Sequence, residues 1–103
     1  MADTYYIDPQ DGQLTIDKDP DATLDYSQDW SAWLSPLSDT ITGTPVWTAG
    51  TGLTVVSQSN NTTSATAFIS GGKVGNKIPL ACRITTVGGR TDERTVHLKI
   101  VQR

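Results

Sequence analysis

Apolar and polar residues alternate most regularly toward the C-terminus. Ile78, Leu80, Cys82 and Ile84 alternate with Pro79, Ala81, Arg83 and Thr85, and Val96, Leu98 and Ile100 alternate with His97, Lys99 and Val101. A period of two is that of a strand with one face buried, so the pattern predicts two half-buried antiparallel strands. Gly88-Gly89 supplies the turn between them, because glycine tolerates the positive φ of a tight hairpin. A two-residue turn would pair Cys82 with Thr95 and send the two apolar sets to opposite faces. Pairing Cys82 with Val96 aligns them and requires one residue near Arg90 to Asp92 to be bulged or taken into a longer loop.

Upstream, the first sixteen residues alternate weakly around Tyr6, Ile7, Leu14 and Ile16, with a turn expected at Asp8 to Gly12. Pro9 and Gly12 interrupt any helical period, which predicts a short hairpin or extended arm over residues 1–17. Leu24, Tyr26, Gln28 and Trp30 then keep one parity and predict a strand. Trp33 and Leu34 fall in a short stretch that reads as one helical turn plugging an end of the core, stopped by Pro36. Ile41, Gly43, Pro45 and Trp47 share a face of a strand that Pro45 confines to an edge or a bulge. Leu53 and Val55 mark the next strand. Asn60-Asn61 turns the chain into Thr63 to Ser70, where either Ala65, Ala67 and Ile69 or the set containing Phe68 faces inward.

Length and composition agree with this all-β pattern. The chain has 103 residues and 11.1 kDa, enough for one domain with one core. Threonine is the commonest residue, with 16 copies, and it favours a pleated surface over a helix. Cys82 is the only cysteine, so no intrachain disulfide is available and an oxidising compartment is not required. No apolar run is long enough for a membrane span, and the opening Met-Ala-Asp-Thr-Tyr lacks a secretion signal, so a soluble protein without a membrane partner is expected. A pI near 4.7 argues against nucleic acid as a partner.

Charge is unevenly placed. Residues 1–39 carry nine aspartates against Lys18, whereas residues 40–103 carry seven Lys and Arg against Asp92 and Glu93. One consequence would be head-to-tail contact between copies in a ring, acidic surface against basic, since a ring needs two different surfaces on each copy. Asp19, Asp21, Asp25 and Asp29 are the acidic candidates, and Arg90 at the hairpin tip the basic one. The competing arrangement is that the two halves satisfy each other within one domain, the aspartates being turn residues.

Catalytic and metal chemistry find little footing. Asp17, Asp19 and Asp21 open like a calcium loop, but Ala22 replaces the required glycine and Gln28 the bidentate glutamate. His97, the only histidine, has outward parity, and Cys82 between Leu80 and Ile84 reads as a small buried hydrophobe. Trp30, Trp33 and Trp47 could form a sugar-stacking platform. Core and end-plug packing is the stronger reading, because two of them lie in apolar periodicity.

About seven strands in some 85 residues, with Trp47 on a middle strand and Cys82 inward on the penultimate one, predict an immunoglobulin-like antiparallel β-sandwich over residues 18–103. Leu80 stands where antibody-type domains carry a tyrosine, so an antibody-type domain is excluded. The chain also carries Lys18-Asp19-Pro20-Asp21, Leu24-Asp25-Tyr26-Ser27, Asp29-Trp30, Trp33-Leu34, Asp39-Thr40-Ile41, Trp47, Gly52-Leu53, Ser70-Gly71-Gly72, Ile84-Thr85-Thr86 and Gly89-Arg90. In these it resembles the small tailed-phage proteins called fibre-tail adaptors, from about Asp17 to Val101.

The resemblance implies an Ig-like structural protein of the virion tail, made in the bacterial cytoplasm. It would join tail or baseplate to receptor-binding fibres without catalysis or cofactor, and its partners would be tail, baseplate and fibre proteins and neighbouring copies. The segment before Asp17 lies outside the resemblance. Its Tyr5, Tyr6 and Ile7 lack enough local neighbours to bury them, which makes them candidates for docking on a partner. A capsid decoration protein and a carbohydrate-binding module are the alternative functions.

Overall fold

The computed structural model describes residues 5–102, so residues 1–4 of the arm and Arg103 lie outside the described residues. The elements are β1 (Tyr6–Ile7), β2 (Leu14–Lys18), β3 (Leu24–Asp29), α1 (Ser31–Leu34) with a 3-10 turn (Ser35–Leu37), β4 (Ile41–Ala49), β5 (Leu53–Asn60), β6 (Ser64–Gly71), β7 (Lys77–Thr86) and β8 (Thr91–Ile100). They form two sheets, five-stranded in the order β1-β2-β8-β7-β4 and three-stranded in the order β3-β6-β5. The result is a sandwich-like, mostly β protein. Its core holds Tyr26, Trp30 and Leu34 together with Ile69, Leu80, Ile84 and Leu98. Each aliphatic side chain of this kind contributes roughly 1.5–3 kcal/mol by leaving water.

The strand parities follow the sequence pattern. On β6 the inward set is Ala65, Ala67 and Ile69, all fully buried, and Phe68 faces out. Pro45 sits on an edge strand and also at an irregularity, since the β4–β7 register shifts between Thr42 and Val46. Helical structure extends one step beyond Pro36, through Leu37, and ends at Ser38 with φ 49.

Two expectations need correction. The first is the last hairpin, in which Leu80 pairs with Val96 and Cys82 with Arg94, instead of Cys82 with Val96. The apolar sets align as the pattern required. The extra residue, however, is taken up in a three-residue loop, Val87-Gly88-Gly89, and nothing between Arg90 and Asp92 bulges. Thr86 donates its N–H to the Arg90 carbonyl at 2.8 Å, and Gly89 to that of Thr86 at 3.0 Å. Gly89 takes φ 86, which a residue with a Cβ adopts only under strain. The second correction is that the sheets are not wholly antiparallel. β2 runs parallel to β8, with Ile16 beside Leu98 and Lys18 beside Ile100.

Residues 14–17 of the segment read as an arm therefore lie within the sheet, where Thr15 and Ile16 are buried. The expected hairpin at Asp8–Gly12 is present, closed by the Gly12 N–H donating to the Asp8 carbonyl at 2.7 Å.

Candidate functional site

Which parts of the surface stay open depends on which charges the fold keeps for itself. At one end of the sandwich, Lys18 has inward parity on β2 and is fully buried. Its ammonium donates to the carbonyls of Asp19 at 2.9 Å, Ala22 at 2.6 Å and Gly71 at 2.8 Å. Three acceptors match its three donors. The bonds tie the β2–β3 turn and the end of β6 to the five-stranded sheet. Burial lowers its pKa, opposed by Asp19 and Asp21.

At the other end, Asp39 precedes β4 and its side chain is almost fully enclosed. Its carboxylate accepts from the N–H of Thr40 at 2.9 Å, the N–H of Gly88 at 3.0 Å and the Arg90 guanidinium at 2.9 Å. Hydrogen bonding led by the Thr86 hydroxyl brings its pKa down to about 2. A Cβ on Gly88 would stand 2.9 Å from Asp39 Oδ2 and 2.7 Å from Arg90, so this glycine is needed for close approach. The sequence reading had noted only the turn.

Other cations are engaged as well. Lys77 bridges Asp8 at 3.0 Å and also Asp11, beside an open groove of about 390 Å3 that Lys99 and Val101 help to line. Arg83 pairs loosely with Glu93 at 3.4 Å. Arg94 lies 4.1 Å from the ring centre of Trp30 and donates to the Asp29 carbonyl. The intramolecular arrangement of the two oppositely charged halves is thus realised at Asp39–Arg90 and at Asp8 and Asp11 with Lys77.

The candidate residues from the sequence fall into three groups. Tyr5 packs against the core, Tyr6 donates its hydroxyl to Asp17 at 2.6 Å, and Ile7 alone of the three is well exposed, at 62%, opposite Leu14. Arg90 is held by Asp39. Asp21, Asp25 and Asp29 are exposed, and among the described residues no cation lies within ion-pair distance of their carboxylates. Asp29 accepts the Ser31 N–H at 2.9 Å, which lowers its pKa. Asp19 is half-buried and its carboxylate accepts the Asp21 N–H at 2.9 Å.

Asp25 and Asp29 share the outer face of the three-stranded sheet with Ser27. On β6 that face continues with Thr66, whose hydroxyl is 2.7 Å from that of Ser27, and with Phe68, which is 43% exposed opposite Asp25. Sequence reasoning had left the side of Phe68 open. Ala65, Ala67 and Ile69 take the buried side of the strand, which leaves Phe68 outward.

The tryptophans do not form a platform. Trp30 is fully buried, Trp33 meets it edge-on at 5.8 Å, and Trp47 is buried beside Cys82. His97 is half-buried, between Thr15 and Pro79 in the sheet. Burial pushes the Cys82 thiol up to about 11. Among the described residues, no three Asp, Glu, His or Cys side chains are grouped to hold a metal.

The podophage GP4 fiber-tail adaptor protein family, gp77, matches residues 18–99. The chain belongs to this family. No curated protein and no solved structure matches it. The adaptor is accordingly a non-enzymatic structural component of the phage tail, and its partners are tail and fibre proteins. Lys18, the cation that ties the two sheets at one end, is the first residue of the matched region.

Proposed function

We propose that the adaptor engages a tail or fibre protein through the outer face of its three-stranded sheet. The observation that carries this is exposed Asp25 opposite exposed Phe68, with exposed Asp29 further along the same face. Lys77 and Arg90 are occupied by other acids, so this face suits a partner with a basic, partly apolar surface. Aromatic side chains anchor such contacts, and charge governs orientation and encounter. Ile7 with Leu14 forms a smaller apolar contact in the same reading, and copies of the adaptor stand in a ring around the tail.

The finer fold belongs here too. The order β3-β6-β5 against β2-β8-β7-β4 supports reading strands B-E-D against a G-F-C sheet, with the first strand on the G side where a constant-type immunoglobulin domain has it beside B. Trp47 and Cys82 then occupy the third and sixth strands of that scheme.

Particles made without the adaptor and supplied with Asp25→Lys/Asp29→Lys or Phe68→Ser protein test the docking face. Fibre attachment should be lost in electron micrographs while the thermal midpoint of the isolated variant stays near that of the native chain. Full attachment with the doubly reversed charge would refute the acidic face.

A further inference from the structure

A sheet edge left open offers unpaired N–H and C=O groups to any other strand, and proteins protect such edges with charge, proline, shortness or a bulge. Among the described residues the two sheets have four edges. β1 is two residues long, β4 carries Pro45 and an irregular register, and β3 carries Asp25 and Asp29. The fourth, β5, has neither a charged residue nor a proline over Leu53–Asn60. Its one guard is a register shift between Val55 and Ser57, which sets Val56 apart, 56% exposed. Beyond it, Ser57-Gln58-Ser59-Asn60 pairs regularly with Phe68 to Ala65. All four of these residues are exposed, so both faces of the segment are open to solvent as well as its outer edge.

The hairpin carrying this segment is held in shape. Asn61 Oδ1 accepts from the N–H groups of Thr63 at 2.9 Å and Ser64 at 2.8 Å, and from both of their hydroxyls. A strand ordered in advance loses little freedom when it pairs.

From these features we infer that β5 is a pairing edge for a second copy of the adaptor, antiparallel across a two-fold axis near Ser57 and Gln58. An isologous contact sets the same surface against itself, so an edge whose charges are all of one sign repels its own copy. The β3 edge would bring Asp25 and Asp29 against their counterparts. β5 brings only hydroxyls and amides, each both donor and acceptor, which are complementary to themselves. The two three-stranded sheets then become one of six strands, with Val56 and Phe68 of both copies on the apolar part of its outer face. Pairing over about four residues on each side is weak and shows only at high local concentration. The two open edges of one small sheet thereby serve different purposes, β3 a basic partner and β5 the adaptor itself. The self-pairing does not depend on the acidic docking face, and its test needs no other phage protein.

Sedimentation equilibrium of the full-length chain over a rising concentration series reads the pairing. The native protein should show a monomer–dimer equilibrium, and Ser57→Lys and Ser57→Asp should each remain monomeric, with thermal midpoints near the native one because Ser57 is exposed. An equimolar mixture of the two should dimerise at least as strongly as the native protein, since opposite charges then meet across the axis. Ser27→Lys, on the β3 edge, should dimerise as the native chain does. A native protein that stays monomeric up to its solubility limit overturns the inference. So does a Ser57→Lys variant that self-associates like the native chain, or a mixture that fails to restore dimers.

Discussion

The two ends of the sandwich are fastened by single buried charges of opposite sign. Lys18 gives three hydrogen bonds to backbone carbonyls, and Asp39 receives two from backbone N–H groups and one from Arg90. The difference lies in what stands in reserve. Asp39 has an arginine that water partly reaches, so the charge at that end is shared between two side chains. The Lys18 ammonium is held by three carbonyl dipoles, and the nearby charges of Asp19 and Asp21 favour its protonated form. Losing the cation would leave three carbonyls without the donor they share, whereas losing Arg90 would leave Asp39 with its N–H donors and the Thr86 hydroxyl.

The most severe way to break the Lys18 end is to remove residues 1–17. That deletes buried Thr15 and Ile16 and uncovers β8 along Leu98 and Ile100, and should lower stability by more than about 4 kcal/mol. Denaturant unfolding followed by far-UV circular dichroism measures it, and an unchanged midpoint would show that β2 adds nothing to the sandwich. Lys18→Met keeps the stem and removes the donors. A loss of about 3 kcal/mol is expected, enough to lower the thermal midpoint by more than about 10 °C.

At the opposite end, acid should act through Asp39. Its carboxyl pKa is depressed from 3.8 to about 2, so the unfolded chain takes up its proton first. The stability this group contributes is complete above about pH 4 and is lost as the pH falls toward 2. Asp39→Asn should flatten that part of the pH profile of the thermal midpoint. An equally steep profile in the variant would assign the acid sensitivity elsewhere.

Arg90→Ala should cost no more than about 1 kcal/mol, because its side chain is 46% exposed. Arg90→Glu should cost more, by setting a second carboxylate against Asp39. A stability change from the latter would support pairing within the domain, and impaired fibre attachment at unchanged stability would support a partner contact. The smallest effect is a test of rigidity. Cys82 should resist a thiol reagent in the native protein at neutral pH, and should react faster in Lys18→Met than in Arg90→Ala.

Much of the architecture was legible because strand periodicity is a local property. The inward faces of β7 and β8, the edge position of Pro45 and the plug at Trp33-Leu34 all follow from residues within one element. The register of the last hairpin was misjudged by two residues. Facing patterns fix only whether the offset is even or odd, and the three-residue loop that decides it depends on the Asp39 contact from elsewhere in the chain. Lys18 was illegible for a similar reason. A lysine beside aspartates looks like a solvated charge until β6 brings the Gly71 carbonyl to it. Asp39 and Arg90 were each visible, but not their pairing, since they are 51 positions apart.

The parallel alignment of β2 and β8 gives the adaptor a mechanical character. Four residue pairs, from Thr15–His97 to Lys18–Ile100, lie side by side along the same direction. A pull that slides the first part of the chain along the last loads those hydrogen bonds together, whereas a pull that peels them apart breaks them one at a time. Resistance is therefore greatest along the strand axis. The anchor at the far end of that row is Lys18, where the β2–β3 turn and both sheets are held by one ammonium.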